Sequence, residues 1–317
     1  MLDARDNADI HDLAIEAQPS PAAELCGRWE RLRASGYNDD LQLWTEGPTE
    51  PERRSFRTMT QLLGLLVEEQ FDHVSTAREL ARLKQLLVDE RTGRWKQYAL
   101  PAAEEQRTDH QLLGVLIEQR FHPAEAERLY RRVKSTFAFD TKAGLWRRYV
   151  TRQKHNPDLE RRYYAFDNLL DVLVAFPLDP VRARTAYEAL KSSGLYDAGR
   201  DEWRKTRHND ERGKLASVND ARDEDTQLLG VLVELLFDPP HASARYQRLR
   251  NDLYDPVSAV WNRGYGLGLN GIQVVDRDQI STAMELLALL VECELAKRGL
   301  RVEHNTDHDI PTILSIQ

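Results

Sequence analysis

Two cysteines in 317 residues are too few for a disulfide framework or a cysteine-based zinc set. Cys26 and Cys293 stand far apart in apolar helical context, which reads as two free, buried thiols. Long apolar runs are also missing. The stretch Leu228 to Phe237 is broken by Gly230 and Glu234, well short of the roughly 20 residues that a bilayer span needs, and the mean hydropathy is −0.61. There is no basic excess: the formal charge of −8 argues against nucleic acid as the main partner, because phosphate binding leaves a basic footprint. The first residues, Met1-Leu-Asp-Ala-Arg-Asp6, are acidic where a secretory leader is basic and then apolar, so a cytoplasmic location is expected. No glycine-rich nucleotide loop, Gly-x-Ser-x-Gly, His-Glu-x-x-His or Cys-x-x-Cys motif is present, so the sequence points to no cofactor and no metal. One metal-like set, His304 and His308 among acidic residues near the C-terminus, reads more simply as a polar tail.

What the chain does have is a repeat. Gln61-Leu-Leu-Gly-Leu-Leu-Val-Glu68 returns as Gln111-Leu-Leu-Gly-Val-Leu-Ile-Glu118, Asn168-Leu-Leu-Asp-Val-Leu-Val-Ala175, Gln227-Leu-Leu-Gly-Val-Leu-Val-Glu234 and Glu285-Leu-Leu-Ala-Leu-Leu-Val-Glu292. Each copy is apolar nearly all round after a polar first turn, the pattern of a helix buried on both sides. Short turns such as Phe121-His-Pro123, Leu178-Asp-Pro180 and Phe237-Asp-Pro239 follow, and proline there suits the first position of a new helix. That second helix is amphipathic, with Leu129, Tyr130 and Val133 or Tyr187 and Leu190 on one face, and it is expected to end at a tryptophan. From the first leucine of the inner helix to that tryptophan the spacing is nearly constant: Leu62 to Trp95, Leu112 to Trp146, Leu169 to Trp203 and Leu228 to Trp261.

The two ends are complementary halves. Residues 22 to 44 read as an outer helix without an inner one, and residues 282 to 298 as an inner helix without an outer one. A linear array would leave two apolar flanks to cap, whereas pairing the first outer helix with the last inner one buries both. The expected fold is therefore all-α: tandem αα hairpins closed into an α/α toroid of five to six hairpins. It would span residues 22–300, between an N-terminal arm (1–21) and a C-terminal tail (301–317).

In such a ring the long outer-to-inner loops share a rim with the N-termini of the inner helices, and long loops carry function. The polar residues opening each inner helix are candidate ligand groups there: Gln61, His110 and Gln111, Asn168, Asp225 and Gln227, and Glu285. Asp109, Asp167, Asp225 and Thr60 are favoured N-cap types, and capping is the simpler expectation for each. Two loops are basic. Residues 147–164 hold Arg147, Arg148, Arg152, Lys154, Arg161 and Arg162 against Asp158 and Glu160, with Tyr149, His155, Tyr163 and Tyr164 interleaved, and Arg207 lies in the second loop, 204–214. Gathered around a cleft beside positive helix ends, such groups suit a small anionic ligand. The glycine-rich stretch Gly264 to Gly271, which includes Tyr265, reads as a mobile covering loop.

The tryptophan turn, the long loop, and the Thr or Asp opening the next inner helix together resemble the α/α-toroid enzymes. In hairpin number the chain resembles polysaccharide lyases and six-hairpin glycosidases. The lyases use Tyr as acid and base, with His, Asn and Arg neutralising a carboxylate; this resemblance implies roles for residues of the types of Tyr149, His155, Asn156, Arg148, Tyr163 and Tyr265. At Arg222-Asp-Glu-Asp-Thr226 the chain resembles terpene cyclases, which place an acidic motif at an inner helix start. The expected function is an enzyme acting on an anionic, carbohydrate-derived substrate. Proton transfer would fall to His110, Tyr149, His155, Asp225 or Glu285, and substrate contacts to Gln61, Gln111, Arg148, Arg152, Asn168, Arg207, Gln227 and Tyr265. A cyclase acting on an isoprenoid and a noncatalytic ring holding a peptide or protein stay open as alternatives.

Overall fold

A computed structural model describes residues 20–45, 56–98, 106–152, 156–255, 260–261, 263–267, 273–276 and 281–300. Apart from residues 20 and 21, the arm and the tail with His304 and His308 lie outside them. The helices are α1 (Pro21–Gly36), α2 (Thr58–Glu68), α3 (His73–Leu87), α4 (Thr108–Phe121), α5 (Pro123–Lys134), α6 (Ala165–Ala175), α7 (Pro180–Ser192), α8 (Glu224–Glu234), α9 (Pro239–Leu253) and α10 (Thr282–Lys297). Prolines 21, 123, 180 and 239 open the outer helices α1, α5, α7 and α9, where a missing N–H leaves nothing unsatisfied.

The even-numbered helices form the inner ring. Each packs on the next, α2 on α4, α4 on α6, α6 on α8 and α8 on α10, and α10 returns to α2. The α1 helix packs on α10, so the first and last described helices make the hairpin that closes the α/α toroid. Leu62, Leu112, Leu169, Leu228 and Leu286 are completely buried at equivalent positions of the inner helices. No helix among the described residues is long and apolar enough to cross a membrane.

The tryptophans depart from expectation, because the outer helices end before them. After each helix the chain makes a two-stranded hairpin, such as Val88–Asp89 with Arg94–Trp95 or Phe139–Asp140 with Leu145–Trp146. Two residues before the tryptophan the backbone turns left-handed, at Gln42, Gly93, Gly144 and Asp201 (φ 54, 61, 64 and 59°), as tight hairpin loops require. Cys26 also departs: it is exposed on α1, and only Cys293 is buried. The glycine-rich stretch is in part a strand, since 263–267 pairs with 273–276 and Tyr265 lies opposite Val275; residues 268–272 are outside the described set.

Candidate active site at the inner-helix N-termini

The rim begins with backbone pairing. Thr108 N–H donates to Arg148 O (2.7 Å) and Val150 N–H to Gln106 O (3.0 Å), and the same belt recurs where Thr58 N–H meets Gln97 O and Ala165 N–H meets Lys205 O. The loops after Trp95, Trp146 and Trp203 are thereby stitched to the entries of α2, α4 and α6.

The residues expected to grip a ligand on the inner helices do something else. Gln61 Nε2 donates to Trp44 O (2.7 Å) while its Oε1 accepts from Trp44 N–H (2.8 Å). Gln111 clasps Trp95 in the same way, Gln227 clasps Trp203 and Asn168 clasps Trp146. A primary amide offers one acceptor and two donors, which matches the free N–H and C=O of a backbone residue. These four side chains are therefore turned into the ring wall, and their expected role as ligand contacts gives way to a structural one. Glu285 holds the fifth equivalent place: its Oε1 accepts from Trp261 N–H at 2.5 Å. Burial raises its pKa to about 7, with the Trp261 N–H and Arg28 opposing and Glu292 adding to the rise. Glu285 is thus a wall residue as well.

Capping is also absent. No inner helix has a side-chain N-cap; the N-cap residues are Arg57, Arg107, Tyr164, Asp223 and Ser281. The outer helices α1, α3, α7 and α9 are capped by Ser20, Asp72, Asp179 and Asp238. Asp109, Asp167 and Asp225 lie one to three residues inside their helices, on the rim where helix dipoles point their positive ends.

Asp109 and Asp167 are both fully buried. Arg107 Nε donates to Asp109 Oδ1 at 3.1 Å, its Nη2 pairs with Oδ2, and Arg148 Nη2 stands 3.9 Å from the same Oδ2. Burial would raise the Asp109 pKa, but Arg107, His110 and the hydrogen bonds from Arg107 and the His110 N–H outweigh it and hold the pKa below the usual carboxylate range. Asp167 is its opposite. No donor reaches its oxygens with good hydrogen-bond geometry, and burial, with the nearby Asp109 and Asp225 carboxylates, pushes its pKa up against the pull of Arg107 and of the Asp109 backbone N–H. Asp225 is raised to about 6 by burial and Asp223, although its carboxylate accepts from Thr226 N–H at 2.6 Å. The cluster thus sets Asp109, whose pKa is held down, beside Asp167, whose pKa is pushed up. Two neighbouring carboxyl groups whose pKa values are driven apart are a ready-made acid and base.

The structure brings His110, Asp225 and Arg148 to this cluster. His110 is buried, its Nδ1 has no partner, and its Nε2 lies 3.8 Å from Asp109 Oδ1. Burial, with Arg107 and Arg57, drives its pKa down to about 4 against the pull of Asp109, so it is a neutral imidazole and not a base titrating near pH 7. The Arg148 guanidinium stacks over Tyr164 at 4.2 Å, and Tyr149 pairs through its backbone with Arg107. Arg152 and Arg207 are drawn elsewhere: Arg152 lies exposed over Phe137 (5.1 Å), and Arg207 binds Asn209 Oδ1 (3.1 Å from Nε) and Ser193 O at the end of an outer helix. Other cations of the basic loops have internal carboxylates, Arg147 with Asp140, Arg204 with Asp197 and Asp220, and Lys205 with Asp223. His155 falls outside the described residues. Asp109 and Asp167 were read from sequence as caps; the signal against capping, their place past the first helical residue, emerges only when the helix start is known.

No protein-family model matches the chain, and a search of curated proteins finds no match. Solved structures do resemble it. One is a GH76 α-mannanase from Bacteroides thetaiotaomicron (TM-score 0.56, 9% identity, 89% of this chain and 96% of that chain covered). A family 8 endoglucanase from Klebsiella pneumoniae is another (0.58, 11%, 86% and 99%). A third is a cellobiose 2-epimerase from Bacillus thermoamylovorans (0.54, 9%, 86% and 98%). At such identities the likeness establishes a shared α/α-toroid fold over nearly the whole chain.

Proposed function

We propose that this chain is a carbohydrate-active α/α-toroid enzyme working by acid/base chemistry at the N-terminal rim. Asp167 would be the proton donor, Asp109 the ionised partner that activates a nucleophile or steadies developing positive charge, and Asp225 a third carboxyl poised between them. The observation carrying this reading is the split pair: Asp167, buried, without a well-aligned hydrogen bond and with its pKa raised, beside Asp109, whose pKa Arg107 holds down. A buried carboxyl group without a well-aligned hydrogen bond is destabilising by roughly 1–3 kcal/mol, a cost that a proton-donating role would account for. The resemblance to a mannanase, an endoglucanase and an epimerase supports a saccharide as substrate, and two carboxyl groups are the usual equipment for cleaving a glycosidic bond.

An anionic saccharide is the narrower form of this proposal. It rests chiefly on Arg148, which stands at the acid cluster 3.9 Å from Asp109 Oδ2, whereas Arg147, Arg161, Arg204 and Lys205 are paired with carboxylates elsewhere on the rim. Arg222 pairs with Glu202 and Asp223 with Lys205, so of the stretch resembling a cyclase acid motif these two residues serve the rim scaffold, while Asp225 belongs to the acid cluster. Because Asp109 and Asp167 are covered, substrate must displace rim side chains before reaction, a step that also excludes water.

The test is hydrolysis and epimerisation of matched neutral and uronate-containing oligosaccharides by wild type, Asp167→Asn and Asp109→Asn. General acid/base groups contribute about 10²- to 10⁴-fold, so each variant should lose at least 100-fold in kcat with its melting temperature held or raised. Wild-type activity should fall as pH rises through the elevated pKa of Asp167, where the donor is lost, and fall again at acid pH as Asp109 protonates. Activity within fivefold of wild type in Asp167→Asn would sink the assignment, and a preference for neutral substrates would remove the anionic part.

A further inference from the structure

The ring has a second open end. Five residues after each wall-clasping Gln, Asn or Glu stands a leucine, Leu66, Leu116, Leu173, Leu232 and Leu290, and all five line one cavity of about 310 Å³. Leu116, Leu173 and Leu232 are 7–9% exposed while Leu112, Leu169 and Leu228 one turn earlier are at 0% and do not line it. Seven residues of helix separate Asp109 from Leu116, roughly 10 Å along the axis. The cavity is therefore a site apart from the acid cluster, opening at the inner-helix C-termini.

Its walls and its mouth differ. Phe176, Pro177, Leu235 and Leu236 extend the apolar lining, and Arg120, Glu294 and Arg298 reach the edge. Glu294 is engaged by Lys297 at 2.9 Å. Arg120 and Arg298 are exposed, and among the described residues neither forms an ion pair. Helix C-termini carry about half a negative charge each, a field that favours a cation, so an anionic head at this mouth would be held by direct contact with the Arg120 and Arg298 guanidiniums, which among the described residues have no carboxylate partner. An apolar lining of this kind favours an apolar occupant, whose burial removes apolar surface from water.

We propose that this funnel binds a free single-chain amphiphile with a carboxylate head, the tail on the leucines and the head between Arg120 and Arg298. Its volume corresponds to roughly ten methylene-sized groups, at about 30 Å³ each, within the size range of small-molecule pockets. The site is independent of the carbohydrate reading.

The experiment is calorimetric titration of the full chain with decanoate, decan-1-ol and decyltrimethylammonium, each below its micelle concentration. Decanoate should bind one to one and at least tenfold more tightly than decyltrimethylammonium. Arg120→Glu, at an exposed position, should weaken decanoate at least tenfold and leave decanol unchanged, and Leu232→Trp, which fills the cavity, should abolish decanoate binding. Should Leu232→Trp fail to fold, Arg120→Glu decides alone. No saturable binding of decanoate, equal affinity for decanoate and the ammonium, or an Arg120→Glu protein that binds decanoate as wild type does would each overturn the proposal. Asp167→Asn should still bind decanoate, which keeps failure here distinct from failure of the enzymatic reading.

Discussion

At the residue scale, one position separates Glu285 from four otherwise equivalent neighbours. Gln61, Gln111, Asn168 and Gln227 both give and accept a hydrogen bond with a tryptophan backbone, whereas an ionised glutamate can only accept. A neutral Glu285 has an O–H to offer, and burial accordingly raises its pKa to about 7 from an ordinary 4.5. Below pH 4.5 both folded and unfolded forms are protonated. Between pH 4.5 and 7 the folded state binds the extra proton, so this group's contribution to stability declines as pH rises. Glu285→Gln should therefore flatten the pH dependence, gaining up to about 3 kcal/mol over wild type at pH 8 and little at pH 4. Urea melts at both values check this, and a gain independent of pH would refute the titration argument. The same comparison shows why these side chains were misjudged from sequence. A Gln at a helix start looks the same whether it faces a ligand or the tryptophan 16 to 24 residues before it.

At the scale of the element, the inner helix carries a glycine that its propensity opposes. Gly64, Gly114 and Gly230 lie where a Cβ would collide with the indole of Trp44, Trp95 and Trp203. The glycine admits the tryptophan against the helix backbone, and the amide clasp three residues earlier fixes the same tryptophan's backbone. Gly114→Ala should thus destabilise by about 1–3 kcal/mol through overpacking, despite the roughly 1 kcal/mol that alanine gains in helix propensity. Gly27 on α1 supplies the control, since a Cβ there would meet only Arg31 Nη1 at 3.5 Å, and Gly27→Ala should raise the melting temperature. Opposite signs in thermal melts are the expected outcome; two gains would remove the packing account. The Gln-Leu-Leu-Gly pattern was visible as a repeat, but the pairing of its glycine with a tryptophan was not, because the two meet only after an intervening loop folds back.

At the scale of the whole molecule, the ring is closed by residues from opposite ends of the chain. Arg28 on α1 pairs with Glu292 on α10, 264 positions away, and Tyr246 on α9 donates to the same carboxylate. Leaving one partner of a buried pair uncompensated typically destabilises by about 3–5 kcal/mol, so Arg28→Ala should lower unfolding free energy by about that much and make α1 the first site of limited proteolysis. Lys297→Ala, which breaks the exposed pair with Glu294, should change stability by less than about 1 kcal/mol. Equal effects of the two substitutions would show that the seam is not held by Arg28. The all-α class, the inner and outer roles of the helices, and the matching of first and last elements were legible in the sequence alone, because hydrophobic periodicity and repetition are local properties that each segment carries with it. Which polar residues serve the wall and which form the site was decided only by tertiary structure. Asp109, Asp167 and Asp225 acquire divergent proton affinities from burial and from one another, across three separate helices, and electrostatic coupling of that kind depends on distance in space, which spacing along the chain does not encode.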